Sequence, residues 1–169
     1  MKIHAEIEPI YLLGDFSVEP VDKGWVIVPG NGLTTGSWKE QGHPFYSWDV
    51  GYKKEFEIQQ KSSYYEVGLG NWEGTVAEVF VNGKEALTIA LPTDRVDVSG
   101  LIKEGRNSIE VKITGSLKNL LGPHHNNPAS GWTGPENWRN IKKYPGGKCY
   151  QLLDYGLMND FYLYKLASL

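Results

Sequence analysis

The side chains with the widest chemical range in this sequence are two adjacent histidines, His124 and His125, a single cysteine, Cys149, and six tryptophans. Imidazoles ligate metals and move protons. Neighbouring residues on an extended chain point to opposite sides, however, so His124 and His125 do not close on one ion together. His43 or Asp154 would have to complete such a site, and no ligand spacing ties them to it. One cysteine permits neither an intrachain disulfide nor a multi-cysteine zinc centre. Without a family signature around it, Cys149 reads as a packed or partly exposed thiol. The sequence holds no G-x-S-x-G elbow, no H-E-x-x-H and no Walker lysine. Gly30-x-Gly32-x-x-x-Gly36 and Gly68-x-Gly70-x-x-x-Gly74 miss the dinucleotide fingerprint by one residue, and neither opens a helix. Glycoside hydrolysis needs two carboxylates roughly 5–10 Å apart. Glu73, Asp94, Glu136 and Asp160 lie in loop-like positions, but no motif pairs them. The chain is read as no enzyme by itself.

The aromatic residues point elsewhere. Trp25 and Trp48 sit in or beside strand-like runs and are expected to pack. Trp38, Trp72, Trp132 and Trp138 lie among Gly, Asn and Pro, where rings are expected to face a groove. A sugar ring offers an apolar C–H face to an indole and hydroxyls to polar neighbours. Trp72, Trp132 and Trp138 are the expected stacking groups. His124, His125, Asn126 and Arg139 are the expected readers of hydroxyls. The structural alternative is that these tryptophans pin long loops onto the body of the domain.

Those residues need a scaffold. With 169 residues, 40% of them hydrophobic, the chain fits one domain over 1–169 with a sizeable core. A formal charge of −3 argues against nucleic acid as the partner. No apolar run approaches the roughly 18 residues of a membrane span. Glu6, Glu8 and Pro9 break up any signal-peptide core. The expectation is a cytoplasmic protein or one module of a longer exported chain.

Period-2 alternation runs through Lys53–Ile58, Tyr64–Leu69 and Ile109–Ile113, which marks half-buried strands. Val76–Val81 is a further strand. Asn82-Gly83 follows it as a hairpin turn into Lys84–Ala90, since both turn residues tolerate positive φ. Trp25–Val28 and Phe161–Leu166 complete the set. Helical signals reduce to single turns near Asp97–Ile102 and Leu117–Leu121, the second stopped by Gly122-Pro123. Many short strands with regular turns specify an all-β antiparallel sandwich. From about 122 to 148 the pattern breaks: four prolines, two tryptophans and six Asn/His residues form a long, aperiodic and ordered loop.

Several runs carry a resemblance. Tyr52–Phe56, Ala77–Lys84 and Asp97 through Val111 resemble the sugar-binding domain of glycoside hydrolase family 2. Glu8–Phe16, Gln41–Ser47, Asn119–His125 and Tyr155–Leu157 are similar to the C-terminal module of α-L-rhamnosidase-like proteins of family 106. The resemblance spans nearly the whole chain. It implies a galactose-binding-like jelly roll, a non-catalytic carbohydrate-binding module within a large bacterial enzyme. It also implies a parent whose active site lies in another domain, and export as part of a longer chain. Such modules often hold a structural Ca²⁺ through carbonyls and a carboxylate, for which Asp15, Asp49 and Asp160 are the candidates. The expected partners are an oligo- or polysaccharide and the catalytic domain of the parent. The competing expectation is a structural accessory domain that packs on that catalytic domain and binds no sugar.

Overall fold

The period-2 runs become strands because one set of alternate side chains can leave water entirely. The computed structural model describes residues 12–61, 64–91, 93, 95–125, 134–135, 137 and 146–166. In β9 (Gly105–Thr114) the residues Asn107, Ile109, Val111 and Ile113 are buried while their neighbours are not. In β6 (Val76–Val81) Ala77, Val79 and Val81 do the same. β3 (Asp49–Ile58) covers β9 along ten residue pairs, and β7 (Lys84–Ile89) lies outside β6. The result is an antiparallel four-stranded sheet in the order β3-β9-β6-β7. Asn82 and Gly83 join β6 to β7 with φ of 53° and 78°. Two positive φ angles are what a two-residue hairpin turn matched to strand twist requires.

A second sheet packs against the first. Its order is β11 (Tyr162–Leu166), β4 (Tyr64–Gly68) and β8 (Arg95–Asp97), again antiparallel. Tyr65, Val67 and Val96 turn inward and join the buried residues of β6 and β9 in one hydrophobic cluster. Two short pairings complete the described strands. β5 (Trp72–Glu73) pairs with β10 (Gly156–Leu157), and β1 (Phe16–Val21) forms a hairpin with β2 (Gly24–Pro29). α1 (Lys118–Leu121) is a single helical turn, closed by Gly122 at φ 81°. Near Asp97–Ile102 the chain makes a turn, with Ser99 N–H and Oγ both donating to Asp97 Oδ1. The expectation of an antiparallel β-sandwich stands. Among the described residues no helix is long and apolar enough to cross a membrane.

The two tryptophans assigned by local composition are exchanged. Trp38, expected in a groove, is 1% exposed and belongs to the core. Its Nε1 donates to Tyr52 Oη at 2.7 Å, and Gly115 and Gly156 leave room for its ring. Trp48, expected to pack, is 72% exposed at the entry to β3. Neighbouring Gly and Pro describe the backbone around a ring; they do not tell which side of the sheet it falls on. Trp25 is half-buried, held in the hairpin and outside the main cluster.

Candidate functional site

Three of the seven sequence-derived site residues, Trp72, His124 and His125, can be placed. Trp132, Trp138, Asn126 and Arg139 lie outside the described residues. Trp72 stands in β5 opposite Leu157 and packs half-buried against the core. His124 follows α1 and stacks on Tyr150, with centroids 5.1 Å apart and planes 19° from parallel. Its Nε2 lies 2.6 Å from the Asn119 carbonyl, so that nitrogen carries the proton. Burial holds the His124 imidazole below its ordinary pKa, against the opposing pull of that carbonyl; the Lys118 ammonium and His125 add to the depression. Both nitrogens of His125 are buried without a hydrogen-bond partner among the described residues. The described contacts join His124 to Tyr150 and Phe45, and none joins it to Trp72.

His124 leads to a cluster that the sequence did not announce. Trp25 meets Phe45 edge-on at 5.1 Å and Tyr150 at 5.7 Å. These rings form the seat of the β1–β2 hairpin, which a two-stranded ribbon needs because it cannot bury its own face. Gly147 closes the seat. A side chain there would run into the Gly24 carbonyl and Pro20. The two ends of the long segment therefore meet at the hairpin. His124 stacks on Tyr150 and its carbonyl accepts from Gln151 N–H at 2.7 Å, while Gly146 bridges to Gly24.

Two clefts flank the hairpin. The first, about 660 Å³, is lined by Trp25, Val28 and Tyr150 on its apolar side. Its polar side holds Glu19, Asn31, Lys39, Glu40, Gln41 and Lys148. Lys39 is committed to Asp154 at 3.0 Å and Gln41 to Thr34. The side chains of Glu19, Asn31, Glu40 and Lys148 have no partner among the described residues. Volume and mixed lining both fall in the range of small-molecule sites. The second cleft, about 650 Å³, is apolar in character, with Leu12, Leu13, Phe16, Pro44, Phe45, Tyr46 and Leu120. Leu13 is 96% exposed, and Leu117 before α1 and Leu121 within it are also open to solvent.

One polar group between the clefts has the composition of a nucleophile and base without the arrangement. Ser17 Oγ lies 3.4 Å from His43 Nε2, but that nitrogen is only 2.9 Å from the Asn31 carbonyl. A carbonyl only accepts, so Nε2 carries its proton toward Asn31 and cannot take one from Ser17. Ser17 is itself sealed from solvent.

The carboxylates named for calcium have these surroundings. Asp49 pairs with Lys112 at 3.5 Å, and Asp160 is held by Lys54 while its Oδ1 accepts from Phe161 N–H. Asp15 stands apart at the start of the hairpin. No group of three or more His, Cys, Asp or Glu among the described residues can hold a metal ion.

Comparison with known proteins places this geometry in context. A protein of Formosa agariphila named "Putative beta-glucuronidase" is 30% identical over 131 residues, covering 68% of this chain. The chain spans 10% of the length of that curated relative. The rhamnosidase of Novosphingobium sp. PP1Y matches 95% of this chain and 16% of its own, with a TM-score of 0.53 at 18% identity. A Ruminococcus gnavus beta-glucuronidase matches 54% of this chain and 16% of its own, with a TM-score of 0.41 at 22% identity. No family model matches the chain. Shared fold over nearly its full length, and similarity to a small part of each longer relative, make this chain similar to one β-sandwich module of large glycoside hydrolases.

Proposed function

We propose that the chain is a non-catalytic accessory module of a glycoside hydrolase and that it binds an oligo- or polysaccharide in the first cleft. The observation that carries this reading is the pairing of apolar rings with uncommitted polar side chains in one open cleft. Trp25 and Tyr150 offer apolar surface, and Glu19, Asn31, Glu40 and Lys148 offer donors and acceptors for hydroxyls. Trp132, Trp138, Asn126 and Arg139 enter the same proposal, because the segment that carries them is anchored at both ends beside this cleft. The module works as part of a longer exported chain, where holding the enzyme on its substrate raises the effective concentration of the catalytic domain.

A glycan array with the purified chain tests the proposal beside Glu40→Ala/Asn31→Ala, whose side chains can be shortened without opening the core. Retention on at least one glycan, weakened tenfold or more in the variant, is expected. Failure to bind any plant, algal or microbial glycan overturns it. A second reading has its own observation. Leu12, Leu13, Leu117, Leu120, Leu121 and Trp48 are all exposed, which suits a face that packs on the catalytic domain. Under that reading the chain binds no sugar, and changing these leucines to serine improves its solubility when it is made alone.

A further inference from the structure

A different part of the molecule carries a second binding surface, and this inference rests on the reading above. In β11 the alternation sends Leu163 into the core and Tyr162 and Tyr164 outward, 57% and 40% exposed. Register sets Tyr162 opposite Gly68 and Arg95, and Tyr164 opposite Glu66 and Asp97. The Tyr164 ring occupies the space a side chain at Gly68 would fill. The Arg95 guanidinium stacks 4.4 Å from the centre of that ring and donates to Glu66 at 3.1 Å. The Lys54 ammonium lies 5.3 Å from the Tyr162 ring, pairs with Asp160 and donates to the Phe161 carbonyl at 3.2 Å. Each tyrosine thus has a cation against its ring, and each cation is already neutralised by a carboxylate. Rings fixed in this way lose little freedom when something settles on them.

We propose that this outer face of the three-stranded sheet is a carbohydrate platform for an extended, neutral polysaccharide. The occupant follows from the chemistry of the rim. An apolar protein face would strip water from both ion pairs without replacing their hydrogen bonds, which is costly. Sugar hydroxyls donate and accept, so they satisfy Arg95 and Lys54 as readily as Glu66, Asp97 and Asp160, while the C–H faces rest on the rings. Two cations face three carboxylates, a balance that disfavours a polyanion. Alternate strand residues stand about 7 Å apart, which lets the two rings meet successive parts of one chain.

Affinity electrophoresis through gels containing soluble xylan, mannan or β-glucan, with polygalacturonate as the acidic control, tests the platform. The native chain is expected to be retarded by at least one neutral polymer and not by the acidic one. Tyr162→Ala/Tyr164→Ala is expected to lower that retardation tenfold or more, and Arg95→Met to lower it less, by releasing Tyr164. Circular dichroism checks that both variants fold; if the double alanine variant does not, Tyr162→Ser alone replaces it. Retardation unchanged in the tyrosine variants, or confined to polygalacturonate, overturns the platform and leaves the cleft standing. Absence of binding to any glycan overturns both. Loss of short-oligosaccharide affinity in Glu40→Ala/Asn31→Ala with full retardation of the tyrosine variants assigns all binding to the cleft.

Discussion

The middle of the sandwich and the β1–β2 hairpin hold apolar residues under different rules. In β6 and β9, Ala77, Val79, Val81, Ile109, Val111 and Ile113 have no exposed surface at all. In the hairpin, Val26 and Ile27 stand open and Trp25 is half-buried against Phe45 and Tyr150. The sheets hold each other; the hairpin is held by rings from other segments and by backbone contacts at Gly42, Gly146 and Gly147. Burial is therefore concentrated in the sheets, and the clefts are built beside the less buried hairpin, the kind of region in which binding sites are commonly found.

The largest effect that separates the two regions is expected for Ile109→Ala. Removing this buried side chain costs about 2–5 kcal/mol, against no more than about 0.5 kcal/mol for Ile27→Ala on the open hairpin. Urea unfolding of both variants measures the difference, and equal losses would break the comparison. An intermediate effect is expected for Gly147→Ala. Its new methyl group meets the Gly24 carbonyl and Pro20, so the hairpin must shift at a cost of about 1–3 kcal/mol. Limited proteolysis should then cut between Val21 and Trp25 first, while the core keeps its protection from hydrogen exchange.

The smallest effect concerns pH. His124 has its pKa depressed in the fold, so the unfolded chain takes up the proton first as pH falls. Stability contributed by the neutral ring is complete above the unfolded pKa of about 6.5 and declines as pH drops from there toward the folded value. Thermal melts at pH 8 and pH 5 should show this loss in the native chain and a smaller one in His124→Gln. An identical loss in both would remove His124 from the seat of the hairpin.

What the sequence disclosed follows the same division. Val76–Val81, the Asn82-Gly83 turn and the alternation around Ile109–Ile113 were legible because period and turn chemistry are local properties. β5 and β10 are two-residue strands, and β1 carries Glu19 and Pro20, so no period could reveal them. His124 was legible as a polar candidate, but its partners Phe45 and Tyr150, and Trp25 against both of them, come from three distant segments that only the closed fold brings together. Tyr162 and Tyr164 had the alternation of an ordinary strand. Their setting depends on Gly68 and Arg95 across the sheet, a pairing that no local spacing shows.

That pairing also sets an order in time. β6 and β7 meet across two residues and can close within microseconds of being made. β4 lies in the middle of its sheet, yet one of its two neighbours is β11, with Tyr162 against Gly68 and Leu166 against Tyr64. At a synthesis rate of roughly 5–20 residues per second, β4 waits for roughly 5–20 seconds on the ribosome with one side unpaired. An unpaired strand edge is a template for other chains. The nascent sandwich is thus most open to misassembly before β11 arrives, and β11 acts as the clasp that ends that interval.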